Sequence, residues 1–204
     1  MKNKYILKMT RISILSAMAI ILMFLEFPLP FTPPFYELDF SEVPVLIGAF
    51  AMGPVSGIII EFIKIVGNIC FTGTQTAFVG ELANFIMGLS YILPAAIIYK
   101  YIKTKKGAIF GLIIGSSSLV LIGALVNAFV MLPAYSFFME IPIDLLINMG
   151  TKINPLITNL PLFIILAVVP FNLIKGILVS LIVILIYKYI SPLLHDKNEL
   201  EEIE

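Results

Sequence analysis

The residues that could do chemistry are isolated polar side chains within long apolar runs. Asn172 and Lys175 lie three residues apart in PFNLIKG, and Asn127 lies in another run, four residues after Gly123. Residues three or four apart share one face of a helix. Amide and ammonium groups on such a face can donate hydrogen bonds to a bound molecule, although an asparagine also commonly joins two helices. The spacing therefore indicates a binding face, with helix-to-helix hydrogen bonding as the alternative.

A further face is formed by GELANFIMG, in which Gly80, Asn84 and Gly88 are spaced by four residues. Two glycines beside an amide make a flat helix surface that can hydrogen-bond. Upstream, Glu61 and Lys64 lie three residues apart, which favours an ion pair within one helix over a role in binding. We expect the face that carries Asn84 to contact a ligand or another helix, and the pair of Glu61 and Lys64 to be structural.

Catalytic motifs are absent from the sequence. It contains no GxxxxGK[ST] loop, GxGxxG or HExxH, and the one histidine, His195, follows the last apolar run. The single cysteine, Cys70, excludes an internal disulfide and a thiolate metal site, and we expect a buried thiol. No catalytic residue, metal site or cofactor is predicted, which leaves a binding or transport role.

The composition is that of an integral membrane protein. Hydrophobic residues make up 60% of the 204 residues, charged residues make up 13%, and the mean hydropathy is +1.06. The formal net charge of zero gives no indication of nucleic-acid binding. No linker divides the chain, so we expect one transmembrane domain over residues 1–204.

Charge placement predicts how these runs cross the bilayer. Most Lys and Arg residues lie in three groups, at the N-terminus, at 100–106 and at the C-terminal end. By the positive-inside rule all three are cytoplasmic, which requires an even number of crossings between them. We expect an all-α bundle of six transmembrane helices with both termini cytoplasmic, a long outer loop at 134–158 and an acidic cytoplasmic tail at 192–204. The apolar runs are 12–25, 44–53, 55–71, 78–101, 107–133 and 159–190.

The segment 28–44, PLPFTPPFYELDFSEVP, interrupts the apolar sequence with prolines, carboxylates and aromatic rings. Proline lacks an amide proton, and irregular backbone at membrane depth survives only over a cavity or under other protein. We interpret the segment as a lid on the outer side of the bundle. A simple polar connector between two helices is the alternative.

Several motifs in order resemble the substrate-binding S components of energy-coupling factor (ECF) vitamin transporters, specifically the riboflavin type. They are FPLPF and LDFSEVP in the lid, Gly53-Pro54, GELANF, Asn127 and PFNLIKG, and they span nearly the whole chain. The resemblance implies the S-component fold, a multi-pass location in the bacterial plasma membrane and an outward-facing vitamin pocket. Alternatives are an S component for another vitamin and a membrane scaffold or assembly protein.

The resemblance also implies site residues and partners. Riboflavin would be a transported substrate and not a cofactor, and it would be delivered with a transmembrane coupling subunit and two cytoplasmic ATPases. The small residues Ser13 and Ala17 of the first helix would form the docking face for the coupling subunit. The implied substrate contacts are Asn127, Asn172 and Lys175, followed by Leu38, Asp39, Gly80 and Asn84.

Overall fold

The computed structural model describes residues 2–74 and 76–194, which form helices and one two-stranded hairpin. The hairpin pairs β1 with β2 antiparallel, with Phe27 opposite Leu38. Two π-helical turns, Asn127–Met131 and Ile164–Val168, interrupt the longer helices. The elements in order are α1 (Lys2–Met23), β1 (Phe27–Pro28), β2 (Glu37–Leu38), α2 (Glu42–Met52), α3 (Pro54–Thr72), α4 (Val79–Tyr101), α5 (Lys105–Val126), α6 (Leu132–Phe138), α7 (Ile143–Thr151), α8 (Leu160–Phe163) and α9 (Val169–Leu194).

Five helical segments of the described chain are long and apolar enough to cross a membrane. They are Lys4–Met23, Pro54–Thr72, Val79–Tyr101, Lys105–Phe138 and Leu160–Tyr187. The remaining apolar helix, α2, has only 11 residues. At 1.5 Å per residue it is about 16 Å long, roughly half of a bilayer core. The second apolar run is thus too short to span alone, and six complete crossings remain a prediction.

The break between α2 and α3 follows from two residues. Gly53 has φ of +90°, a backbone conformation that is costly for residues with a Cβ atom. Pro54 is the first residue of α3, where its missing N–H is not needed. The two helices therefore turn back tightly at Gly53-Pro54, and Ala49 of α2 lies against Gly57 of α3.

Small residues set the closest helix contacts. A Cβ atom on Gly111 of α5 would lie 2.7 Å from the carbonyl oxygen of Ala95 in α4, and one on Gly115 would lie 2.5 Å from that of Tyr91. Glycine thus allows the two backbones to approach at both positions. Gly107, in the same stripe, instead lies against Ile102 of the preceding turn.

Three expectations from the sequence require correction. The range 134–158 is not simply a loop, because it contains most of α6 and all of α7, and α7 buries an apolar face that includes Leu146. The lid range overlaps the first turn of α2, which begins at Glu42. Cys70 is exposed, because the side of α3 that carries it faces away from the bundle. His195 and the tail beyond residue 194 lie outside the described residues.

Accessibility of introduced cysteines tests the predicted orientation. In a Cys70→Ala background, a membrane-impermeant maleimide should label Phe31→Cys and Asp144→Cys in intact cells, and Lys105→Cys only after lysis. All three positions are exposed, whereas Thr32 in the lid is buried and would react poorly. Labelling of position 105 in intact cells would contradict a cytoplasmic loop between α4 and α5.

Candidate functional site

A cavity of about 240 Å³ lies between the lid and the ends of several helices. Its wall combines aromatic rings, methionines, amides and carboxylates, whereas a packed core would present apolar side chains alone. The lining residues are Met23, Glu26, Phe35, Tyr36, Glu37, Glu42, Asn68, Thr76, Gly80, Glu81, Ala83, Asn84, Met87, Gly88, Tyr91, Leu119, Asn127, Met131, Tyr135, Phe171, Asn172 and Lys175.

Gly123 of α5 brings two asparagines of the cavity wall together. Its carbonyl oxygen accepts a hydrogen bond from Asn127 Nδ2 at 2.8 Å. A Cβ atom on Gly123 would lie 2.7 Å from Asn172 Nδ2 of α9, so glycine leaves the space that this amide occupies. Asn172 Nδ2 donates to the Val168 carbonyl at 3.1 Å. Each amide group has a second N–H that these bonds do not use.

Asn127 is the first residue of one π-helical turn and Asn172 lies four residues after another, and each turn ends two residues before a proline. The turn Asn127–Met131 precedes Pro133, and the turn Ile164–Val168 precedes Pro170. A proline inside a helix cannot donate to the carbonyl four residues earlier, and its ring clashes with that carbonyl. Widening the preceding turn relieves this conflict, and such turns recur at functional sites. The prolines thus account for the local geometry that places these side chains in the wall.

Lys175 connects α9 to the lid. Its Nζ lies 2.8 Å from Asp39 Oδ2, and both side chains are largely buried. Asp39 also accepts hydrogen bonds at Oδ1 from the backbone N–H of Ser41, at 2.7 Å, and from the Ser41 hydroxyl. Burial opposes ionisation of Asp39, but the adjacent ammonium group of Lys175 and these hydrogen bonds lower its pKa to about 2. The ion pair therefore persists at neutral pH and fixes the segment leading into α2.

The aromatic residues of the lid pack against aromatic residues near α8 and α9. Phe35 stacks on Phe163 with ring centroids 6.4 Å apart, and Tyr36 lies 5.3 Å from Phe171. The Tyr36 hydroxyl donates to Asn127 Oδ1 at 2.7 Å. Offset aromatic pairs add stability beyond the area they bury. The lid therefore closes the cavity through aromatic contacts and hydrogen bonds together.

A buried charge cluster lies beside the cavity. Lys64 Nζ is 2.8 Å from Glu61 Oε1, as the sequence predicted, and 2.9 Å from Glu42 Oε1 of α2. The remaining oxygens Glu42 Oε2 and Glu61 Oε2 have no hydrogen-bond partner within the described part of the chain. Gly88 of α4 lies against the Glu61 carboxylate, where a side chain would clash. The ion pairs join α2 to α3, and Gly88 of α4 provides space for a carboxylate as well as a cavity surface.

The predicted site residues occupy different positions around the cavity. Those that line it are Asn127, Asn172, Lys175, Gly80 and Asn84. The Asn84 side chain has no hydrogen-bond partner among the described residues, which favours a ligand contact over the helix-joining alternative.

Two of the predicted contact residues, Leu38 and Asp39, lie behind the cavity wall and are almost fully buried. The predicted docking residues Ser13 and Ala17 are exposed on α1, away from the core. They remain available to a partner.

Two carboxyl groups at the lid form a pair that the sequence did not predict. Glu26 follows α1, Glu37 lies in β2, and both line the cavity. Burial, followed by the negative charges of Glu37 and Asp39, raises the pKa of Glu26 to about 7, and a hydrogen bond to Glu37 adds to this shift while Lys175 opposes it. The hairpin that brings positions 26 and 37 together is only two residue pairs long, so no strand pattern in the sequence indicates their proximity.

This raised pKa predicts that the ligand-free lid loosens as the pH rises. The closed lid holds the Glu26 proton up to about pH 7, whereas the open lid releases it near the ordinary value of 4.5. Closure is therefore most favoured below pH 4.5 and loses this contribution as the pH rises to 7. In a Cys70→Ala background, a spin label at Phe31→Cys should be more mobile at pH 8 than at pH 5. Glu26→Gln should remove the difference, and equal mobility in the parent protein would contradict the assignment.

Comparison with known proteins identifies the family of the chain. The family profile described as "ECF transporter, substrate-specific component" matches residues 7–187. The riboflavin transporter RibU of Staphylococcus aureus is 38% identical over 187 residues, which cover 92% of each chain. The riboflavin transporter FmnP of Bacillus subtilis is 32% identical over 192 residues, covering 94% of this chain and 95% of the other.

A solved structure of the S component of a bacterial ECF transporter matches this fold with a TM-score of 0.72. It is 37% identical in sequence, and the match covers 96% of this chain and 100% of that one. The all-α membrane fold expected from the resemblance is thereby confirmed. The chain belongs to the family of substrate-specific S components of ECF transporters.

Proposed function

We propose that this chain binds riboflavin from outside the bacterial plasma membrane and delivers it inward as the S component of an ECF transporter. The names of its relatives and the family support this assignment. The observation that carries it is the cavity in which Asn127, Asn172 and Lys175 are brought together beside the aromatic lid.

The three polar residues suit the ring system of a flavin. Its isoalloxazine group offers carbonyl acceptors along one edge and flat apolar faces. Asn127 and Asn172 each have one N–H left after their bond to the helix backbone, and Lys175 has two left after its bond to Asp39. These donors can bind the ring edge without breaking the contacts that hold the lid. Tyr36 and Phe171 offer surfaces for the ring face.

The remaining predicted contact residues have secondary roles in this proposal. Asn84 has its amide free, and Gly80 leaves space near the Tyr135 hydroxyl, which would lie 3.1 Å from a Cβ atom at that position. Leu38 and Asp39 would act through the lid, since they support the wall from behind. Riboflavin is a transported substrate in this proposal, and no cofactor is needed.

Energy for transport would come from other subunits. The family is a substrate-binding component and not an enzyme in itself. The sequence also lacks a phosphate-binding loop. We expect a transmembrane coupling subunit that docks on the exposed face of α1 at Ser13 and Ala17, and two cytoplasmic ATPases. Reorientation of the whole subunit would open the lid toward the other side.

Flavin binding by the purified protein tests the proposal. The protein in detergent should quench riboflavin fluorescence saturably, because its aromatic residues would stack on the ring. Addition of biotin or thiamine as a competitor should not reverse this quenching. Asn172→Leu removes one wall amide at similar volume and should weaken binding about tenfold, the typical effect of one hydrogen bond. The matched control is Asn148→Leu, at an exposed position of α7 outside the cavity.

The two alternatives predict different outcomes. An S component for another vitamin would not quench riboflavin fluorescence saturably and would bind that other vitamin instead. A scaffold or assembly protein would bind no vitamin, and Asn172→Leu would lower only its stability. Either result would overturn the riboflavin assignment.

A further inference from the structure

A shallow groove lies between α5 and α9, at the end of the bundle that carries the turn from α4 to α5. It shares no lining residue with the cavity under the lid. Lys105, the first residue of α5, lines the groove at one end together with Tyr187 of α9. The rest of the lining is apolar and extends two helical turns along α5, and it consists of Ala108, Ile109, Leu112, Val183 and Ile184.

The charged end of the groove lies at the level of the membrane surface. The membrane-spanning segments of α5 and α9 reach their limits there, at Lys105 and Tyr187. Tyr101 at the end of α4 and Tyr189 in α9 are each 79% exposed. Tyrosine is enriched where hydrocarbon meets lipid headgroups, because its ring is apolar and its hydroxyl is polar. Lys105 therefore lies beside the headgroups, and the apolar floor extends about 10 Å from it into the hydrocarbon layer.

The charge around Lys105 is positive. Ranges 82–139 and 145–194, which contain both walls of the groove, have no Asp or Glu. Within the part of the chain that the structure describes, Lys105 forms no ion pair, and its side chain is exposed. The first turn of α5 also has no acidic residue, so the positive end of the helix dipole adds to the lysine charge. The groove thus combines a cation at headgroup level with an apolar surface below it, which complements an anionic lipid.

We propose that the groove between α5 and α9 binds one anionic phospholipid, with the lipid phosphate at Lys105 and part of an acyl chain along the apolar floor. A lysine ammonium group forms charge-assisted hydrogen bonds with phosphate oxygens. Basic pockets between transmembrane helices bind lipid headgroups in this way. A free phosphate would gain nothing from the apolar floor, so the lipid is the better fit. The site is independent of the ligand that fills the cavity under the lid.

Native mass spectrometry of the protein in detergent tests the site by comparing phosphatidylglycerol with phosphatidylcholine of the same acyl chains. The unmodified protein should bind phosphatidylglycerol more tightly. Lys105→Gln removes the charge and should weaken phosphatidylglycerol binding about tenfold, the effect of losing one charge-assisted hydrogen bond, while phosphatidylcholine binding stays the same. The matched control is Lys106→Gln, at the neighbouring exposed lysine outside the groove, which should weaken binding by about twofold or less.

Two measurements on the unmodified protein stand even if a variant fails to fold. Added phosphatidylglycerol should raise the apparent Tm more than phosphatidylcholine does, because a lipid that binds only the folded state stabilises it. Inorganic phosphate should not displace bound phosphatidylglycerol. Displacement by phosphate would identify a site for free anions and would overturn the lipid assignment.

Three further outcomes would also overturn the proposal. Equal binding of the two lipids would show that the groove does not recognise the headgroup charge. Equal losses in Lys105→Gln and Lys106→Gln would show a diffuse attraction to the basic turn and not a site in the groove. A lower Tm of Lys105→Gln in lipid-free detergent would show that the lysine contacts another part of the chain, such as the acidic segment 196–204 outside the described residues.

Discussion

Lys64→Met should destabilise the folded protein by about 3–5 kcal/mol, the usual effect of removing one partner from a buried ion pair. Lys64 is fully buried and is the shared partner of Glu42 and Glu61. Without it two carboxylates would face each other beside Gly88, where there is no room for another side chain. The loss should appear as a lower apparent Tm of the ligand-free protein in detergent.

Two further variants decide whether charge is the cause. Lys152→Met removes an exposed lysine between α7 and α8 and should leave the Tm unchanged. The triple variant Glu42→Gln, Glu61→Gln, Lys64→Met removes all three charges together and should recover much of the lost stability. If the triple variant is as unstable as Lys64→Met, an unpaired buried charge is not the cause of the loss.

The cluster shows what helical spacing can and cannot predict. Glu61 and Lys64 were identified as a pair because their separation of three places them on one face of a helix. Glu42 was not identified, because it lies 22 residues from Lys64 on another helix and no local pattern relates them. Its burial follows from the tight turn at Gly53-Pro54, which folds α2 back along α3.

The sequence predicted some residues of the cavity wall but not the local backbone geometry around them. Asn127, Asn172 and Lys175 were found because polar groups are rare in apolar runs and each is therefore conspicuous. The two asparagines lie in or just after π-helical turns, which a regular spacing of 3.6 residues does not describe. Pro133 and Pro170, each two residues after the end of a π-helical turn, were the available signal.

Outer segments were the least predictable part of the fold. The range 134–158 looked like a loop because its apolar residues are interspersed with prolines and charges, yet α7 forms there by packing an apolar face against Phe163 and Ile157. The lid hairpin has two residue pairs, which is too short for a strand pattern to be visible. Contacts between distant segments decide such elements.

Lys175→Met should weaken riboflavin binding by about 1.5–3 kcal/mol, which corresponds to roughly 10- to 150-fold in Kd. Methionine keeps much of the length of the side chain and removes the charged donor. Affinity measured by quenching of flavin fluorescence reports the change, with Lys152→Met as the control for loss of a lysine outside the cavity.

The contact with Asp39 means that this loss has two possible causes, which a double variant separates. Lys175→Met alone also leaves the Asp39 carboxylate buried without its ion partner, and that would loosen the lid. In Asp39→Asn, Lys175→Met no charge is left unpaired, and the short hydrogen bonds from Ser41 can still be accepted by the amide oxygen. If Lys175 donates directly to riboflavin, the double variant should bind as weakly as Lys175→Met while its lid regains resistance to proteolysis. Recovery of full affinity in the double variant would show that Lys175 acts only by holding the lid.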